Sequence, residues 1–221
     1  AWYREQGFLP EAICNYLALL GWSPGDDRED ITMKELVELF EVHDVHSSPA
    51  RFDMKKLEAI NGDKIRALSP DEFLKWSLPF LIDAGVIVGN EKEIEIVKAA
   101  LPIIQERIVK LGEIPSMLKF LFVNSLEIEN ESKEKIKDEE SKKVLKRSLD
   151  ALDPVSNWSH ESIEVALRTA LIEEMGLKPR IAFGAVRIAV TGSHISPPLF
   201  ESIELLGKEP SLSRIKSALN L

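Results

Sequence analysis

Apolar residues recur every three or four positions along most of this chain, which is the spacing of one face of a helix. The first clear example covers residues 10–20, where Pro10 stands at a helix start and Gly21 marks the end. No segment alternates apolar and polar residues convincingly over the length of a strand. The pattern therefore predicts an all-α fold built from serial helical bundles.

Capping residues place several helix ends. Thr32 and Glu35 have the spacing of a capping box, and Ser69-Pro70 followed by acidic residues predicts a helix that runs to Gly85. Asn61-Gly62 is a turn pair, so we expect it to close a short helix over 54–60. Further helices are predicted at about 91–111, 115–122, 159–176 and 179–191.

The stretch from Glu127 to Glu140 changes composition. Glutamate and lysine alternate there with almost no apolar residues. This pattern is typical of a solvated helix or an exposed charged connector, and it predicts a domain boundary nearby.

The most informative segment is residues 187–201, here called the corner. It begins with Arg187 in an apolar run, breaks at Gly192, and continues with Ser196-Pro197, which predict a capped helix start. That helix should end at Gly207, and Ser211 should cap the last one. A corner of this kind holds polar groups in fixed positions, which suits the reading of a base edge.

The net charge of the chain bears on whether it can bind nucleic acid. The 221 residues carry 28 Lys and Arg against 37 Asp and Glu, a formal net charge of −9, which argues against nonspecific coating of nucleic acid. From Lys178 onward, however, basic residues outnumber acidic ones, which fits either a specific polyanion contact or ordinary surface charge. The basic residues of that region are Lys178, Arg180, Arg187, Lys208, Arg214 and Lys216.

Arg107 is a second basic candidate, on the predicted helix 91–111. It could bind a base edge with two hydrogen bonds or stack on the base plane. The alternatives are an ion pair with Glu106 or Glu113, or simple exposure to solvent.

Signs of catalysis are missing from the sequence. His43 and His46 lack the further ligands of a metal site, and no glycine-rich loop is followed by a lysine. Asp26-Asp27 fits a turn better than an acid–base pair. We therefore expect no catalytic residue, no metal ligand and no cofactor within this chain.

The single cysteine, Cys14, lies in an apolar run and is expected in the core. One cysteine cannot form a disulfide within the chain, which fits a reducing cytoplasm. No apolar run reaches the roughly 20 residues that span a bilayer, and no signal peptide is recognisable. The chain begins with Ala1 rather than Met, and we expect it to be cut from a longer protein.

Three ordered motifs carry a resemblance to a known family. They are GFLPEAICNYLALLGWS at 7–23, SPARFD at 48–53 followed by Lys56-Leu57 and Asn61-Gly62, and the C-terminal Thr191-Gly192 with SPPLFE at 196–201 and Leu205-Leu206-Gly207. Together they span almost the whole chain. This pattern resembles bacterial glutamyl-tRNA synthetase after its lysine-serine-lysine loop.

The resemblance implies a role in tRNA binding and a division into three parts. The family's catalytic domain, which uses ATP and Mg²⁺, would precede this chain and be its partner in a monomeric cytoplasmic enzyme. Residues 1–70 would form a stem-contact helical region, and residues 71–130 and 131–221 two anticodon-binding subdomains. The partner would be tRNA specific for glutamate, with no membrane involved.

The resemblance also implies which residues bind the anticodon. Arg107 would approach the first anticodon base, and Arg187 with the corner would receive the second and third bases. The corner residues that match the family are Ser196, Pro197 and Leu199. A helical protein-interaction module without an RNA role is the alternative function, and an independent enzyme is a third possibility.

Overall fold

A computed structural model describes residues 1–26, 28–46 and 51–221. Within these residues the chain is helical, without a strand, which confirms the predicted all-α class. The α-helices, in chain order, are α1 (Trp2–Gln6), α2 (Pro10–Leu19), α3 (Met33–Leu39), α4 (Met54–Arg66), α5 (Pro70–Asp83), α6 (Glu91–Gln105), α7 (Ile114–Leu118), α8 (Asn130–Glu134), α9 (Glu139–Leu152), α10 (His160–Leu167), α11 (Pro179–Thr191), α12 (Leu199–Leu206) and α13 (Lys208–Ala218).

The described chain forms two compact units. The first unit contains residues 1–89 and 104–115, and the second contains 90–103 and 116–221. The boundaries predicted at about residues 70 and 130 separate parts of the chain that would contact different regions of the tRNA. These boundaries stay a prediction. Asp27 and the Ser48-Pro49-Ala50 part of the second motif lie outside the described residues.

In the first unit, α2 packs against α3 and α4. The fully buried Asn61 joins three segments: its Oδ1 accepts from the Leu9 amide at 2.8 Å, and its Nδ2 donates to the carbonyls of Gly7 (3.3 Å) and Val109 (2.6 Å). The prediction that Asn61-Gly62 closes a helix was wrong. The helix α4 runs through both residues to Arg66, because the Asn61 side chain serves tertiary partners rather than a turn.

The capping predictions in this unit are confirmed. Thr32 and Ser69 each form a capping box, with Glu35 and Glu72 respectively. The hydrogen bond from the Thr32 amide, with bonds from Arg28 and the Thr32 hydroxyl, lowers the pKa of Glu35 to about 2.

The long helix predicted over 91–111 ends six residues early, at Gln105. The Gln105 side chain donates to the carbonyls of Ile65 (2.9 Å) and Leu68 (3.0 Å), which fixes the end of α6 on α4. Arg107 therefore lies in a turn after the helix and not on it.

In the second unit, α9 to α13 pack around one core, in which Leu145, Leu167 and Ile203 are fully buried. A π-helical segment, Arg168–Glu174, continues directly from α10. Two helix-start predictions were wrong here. The helix α12 begins at Leu199 rather than at Ser196-Pro197, and Ser211 lies inside α13, where its hydroxyl donates to the Gly207 carbonyl at 2.7 Å.

The charged stretch 127–140 is not a connector. Its charged side chains are largely exposed, as predicted, but Ser132 and Ile136 are fully buried and Ile136 belongs to the core of the second unit. None of the helices in the described residues is long and apolar enough to cross a membrane.

Candidate nucleic-acid interface

The helix α11 positions Arg187. Its buried face, which includes Ala182, Ala185 and Val186, packs on the core, whereas Phe183, Gly184 and Arg187 lie on a partly exposed face. Residues three and four positions apart share one side of a helix, so these three side-chain positions form a continuous stripe.

Gly192 ends α11 and turns the chain into the corner. Its φ of +84° is in the left-handed region, which favours glycine. A Cβ at this position would lie 2.7 Å from the Glu127 carbonyl oxygen. Both the backbone conformation and the close approach therefore require glycine here.

Three of the predicted site residues meet in the corner. Arg187 Nη1 donates to Ser196 Oγ at 2.6 Å and to the Pro197 carbonyl at 2.7 Å. The Ser196 hydroxyl donates to the same carbonyl at 3.0 Å. We call Arg187, Ser196 and Pro197 the arginine clamp, because the serine and the proline carbonyl hold the guanidinium in place.

The exposure of these residues changes the expected roles. Ser196 is 8% exposed and Leu199 is 4% exposed, and Pro197 is buried, whereas the Arg187 side chain is half-buried. The prediction that Ser196 caps a helix and presents its hydroxyl was wrong, because that hydroxyl bonds Arg187 and Pro197. The exposed tip of the corner consists of His194 and Ile195.

The charged stretch 127–140 forms hydrogen bonds with residues 192–194 of the corner. The Glu129 amide donates to the Gly192 carbonyl at 3.0 Å, and the Ser193 hydroxyl donates to the Glu129 carboxylate at 2.8 Å. The His194 amide donates to Ser132 Oγ at 3.2 Å. Sequence reasoning missed this support, because the many charges of the stretch hid the two buried positions that attach it.

Arg107 belongs to the first unit, and it is exposed in the turn after α6. Its amide donates to the Ile104 carbonyl at 2.9 Å. It is therefore not a member of the arginine clamp, and its role in binding stays a prediction.

The basic residues from Lys178 onward, apart from Arg187, differ in exposure and in what they bind. Lys178, Arg180 and Lys216 are exposed. Lys208 and Arg214 instead bind backbone carbonyls: Arg214 donates to those of Val190, Phe120 and Val123 at 2.9 to 3.0 Å, and partial burial lowers its pKa. These two cations hold the second unit together.

Phe183 and Phe200 form an aromatic pair that was not predicted from the sequence. Phe183 and Phe200 are partly exposed and meet edge to face, with ring centroids 5.3 Å apart. The Arg168 guanidinium lies 5.5 Å from the Phe183 centroid and 6.0 Å from the Phe200 centroid. The i, i+4 spacing of Phe183 and Arg187 on α11 was the one sequence feature that could have suggested it.

Cys14 and His43 are exposed residues of the first unit. Cys14 is exposed, so the prediction of a core cysteine was wrong. Within the described residues no group of three His, Cys, Asp or Glu side chains gathers in a geometry that could hold a metal ion. His43 is exposed, and its nearest acidic partners are Glu41 and Asp44.

Comparison with known proteins gives two family matches. Residues 72–219 match the family described as anticodon binding domain, and residues 1–59 match the family described as tRNA synthetases class I (E and Q), catalytic domain. The second match covers most of residues 1–70, the predicted stem-contact region.

Curated relatives and solved structures match along the whole chain. A glutamate–tRNA ligase of Nocardioides sp. is 50% identical over 98% of this chain and 45% of its own length, and one of Arthrobacter sp. is 49% identical over 96% and 43%. The crystal structure of a glutamate tRNA ligase from Elizabethkingia meningosepticum in complex with its amino acid covers 99% of this chain and 42% of that protein, with a TM-score of 0.78 and 28% identity. The chain thus spans less than half the length of these relatives.

Proposed function

The chain belongs to the anticodon binding domain family, and from this premise we propose that it is the tRNA-binding and anticodon-recognising part of a glutamate–tRNA ligase. The observation that carries the proposal is the arginine clamp, which lies within the matched residues 72–219. A guanidinium held by two acceptors is preorganised, so less conformational entropy is lost when it binds a ligand.

In this proposal the corner residues have different tasks. Arg187 meets the base, because its planar fork of N–H donors suits a base edge and its side chain is partly exposed. Ser196 and Pro197 orient Arg187, and the buried Leu199 anchors α12 beneath them. Arg107 is proposed as a further contact to the anticodon, made from the first unit.

The catalytic task of the parent enzyme is a separate part of the proposal. We propose that a catalytic domain, most of which would precede these residues, binds ATP and Mg²⁺ and attaches glutamate to the tRNA. The relatives' name, glutamate–tRNA ligase, supports glutamate and tRNA as the substrates. Residues 1–70 would then contact the tRNA stem, and residues 71–130 and 131–221 the anticodon. We further propose a monomeric enzyme that acts in the cytoplasm.

Exposed apolar side chains on the first unit support contact with the parent's own catalytic domain. Leu17 is 52% exposed and Val37 is 80% exposed. Both lie within residues 1–59, the part that matches the catalytic family.

Salt dependence of RNA affinity separates this proposal from a protein-interaction module. A protein that neutralises phosphates loses affinity steeply as salt rises, in proportion to the number of contacts. We expect the chain to bind a glutamate-specific tRNA with such a slope, measured by fluorescence anisotropy over a range of salt concentrations. Absence of binding at low salt, or affinity that does not depend on salt, would contradict the proposal.

A further inference from the structure

A partly exposed group of two aromatic rings and one guanidinium lies in the second unit. It consists of Arg168, Phe183 and Phe200 and is here called the shelf. The two rings are oriented at 84° to each other, and the arginine lies near both of them. Glu164 holds the arginine through a bond from Arg168 Nε to its Oε1 at 2.6 Å. This ion pair lies at the surface, and Arg168 itself is exposed.

The backbone beneath Arg168 is unusual. Arg168 is the first residue of the π-helical segment that follows α10. Such segments are rare and occur frequently at functional sites. Val165, one turn earlier, is 65% exposed and extends the apolar surface beside the arginine.

Gly184 lies next to Phe183 on α11 and leaves open space. A Cβ at this position would meet no atom within 4 Å, so packing within the protein does not require glycine here. Glycine inside a helix is less stable than alanine. Because Gly184 has no side chain, a ligand can approach the backbone of α11 closely at this position.

The shelf and the arginine clamp share two elements. Phe183 precedes Arg187 by four residues on α11, a distance of about 6 Å along the helix axis. Phe200 follows Leu199 at the start of α12, within the last residues of the corner. One nucleotide of an extended single strand can bridge this distance.

We propose that the shelf stacks an unpaired base of the RNA strand, one that neighbours the base held at Arg187. The proposal rests on the proposed function and adds a second contact to it. Phenylalanine rings and arginine guanidinium planes both stack on bases, and such stacking tolerates any base because every base has a π-face. The shelf would thus supply affinity and position, whereas Arg187 would supply discrimination.

The test uses RNA hairpins that carry the glutamate anticodon, with each loop nucleotide in turn made abasic. For the wild type we expect one position, adjacent to the base at Arg187, where loss of the base weakens binding about tenfold while exchange of the base for another has little effect. Arg168→Gln and Phe183→Leu should weaken binding of the intact hairpin about fivefold and remove the effect of the abasic position.

Arg147→Gln is the matched control. Arg147 also pairs with a glutamate, Glu174, but it has no aromatic contact among the described residues. The control loses the same charge, so we expect it to bind like the wild type apart from a small uniform loss. A 2-aminopurine at the stacked position should change its fluorescence on binding to the wild type and less on binding to Phe183→Leu.

The outcomes separate this proposal from the one on which it rests. If the wild type distinguishes anticodons but both shelf variants respond to every abasic position as the wild type does, the shelf is refuted and the proposed function stands. If the wild type binds no hairpin, both are refuted. Because Arg168 is exposed, Arg168→Gln keeps the fold and remains informative if Phe183→Leu does not.

Discussion

Replacing Ser196 by alanine isolates what the hydroxyl in the corner does. The change removes the acceptor at 2.6 Å from Arg187 Nη1 and leaves the Pro197 carbonyl at 2.7 Å from the same nitrogen. A hydrogen bond to a charged group contributes roughly 1.5–3 kcal/mol net. Because one acceptor remains and Arg187 is only half-buried, we expect a smaller loss of about 1 kcal/mol in RNA binding, which corresponds to about fivefold in Kd.

A double-mutant cycle shows whether this loss passes through Arg187. If Ser196 only orients the arginine, Ser196→Ala should cost little further affinity in an Arg187→Ala background, with a coupling energy of about 1 kcal/mol. Fluorescence anisotropy with one hairpin at fixed salt measures the four affinities, and Ser196→Thr, which keeps a hydroxyl, serves as the control. Equal losses in both backgrounds would mean that the hydroxyl contacts RNA by itself, and would refute the orienting role.

Four further substitutions test the fold of the two units. Gly192→Ala should destabilise the chain by about 2 kcal/mol in thermal melts, because residue 192 has a positive φ and its Cβ would lie 2.7 Å from a carbonyl oxygen. Gly184→Ala should instead stabilise the chain by about 0.5–1 kcal/mol, because the space around its Cβ is open. Asn61→Ala should cost about 3 kcal/mol in denaturant unfolding, because three backbone groups lose a buried partner. The hydrogen bond that His160 Nδ1 donates to the Glu204 carboxylate raises the pKa of His160. The stabilising effect of this bond is therefore complete below about pH 6.5 and is lost as pH rises through the raised value. Melts of His160→Gln should therefore differ from the wild type more at pH 5.5 than at pH 8.5, and an equal difference at both would count against that ion pair.

Local signals in the sequence predicted the helices better than their tertiary roles. The Thr32 and Ser69 capping boxes depend on neighbouring residues only, so spacing along the chain was sufficient. Gly192 was recognisable as a helix end, but its close approach to the Glu127 carbonyl oxygen had no local signal. Asn61-Gly62 misled the prediction because its side chain is used over long sequence distances, to Leu9 and to Val109. The sequence Asn-Gly does not distinguish a turn from a helical asparagine whose buried side chain bonds distant backbone groups.

The candidate site was predicted as a set of residues but not as a geometry. Arg187, Ser196 and Pro197 were all named, yet their burial and their bonds to one another come from packing that no local pattern contains. The shelf was missed for the same reason, since Arg168 and Phe200 are 32 positions apart in the chain and meet only after α10 and α12 pack.

The most direct test of the central claim compares two RNA hairpins that differ only in the anticodon. We expect the chain to bind the hairpin with the glutamate anticodon more tightly than the exchanged one, and Arg187→Ala to reduce that preference by about 1–3 kcal/mol. Affinities are measured by anisotropy at one salt concentration, because salt alone changes them. Equal affinity of the wild type for both hairpins would contradict the account.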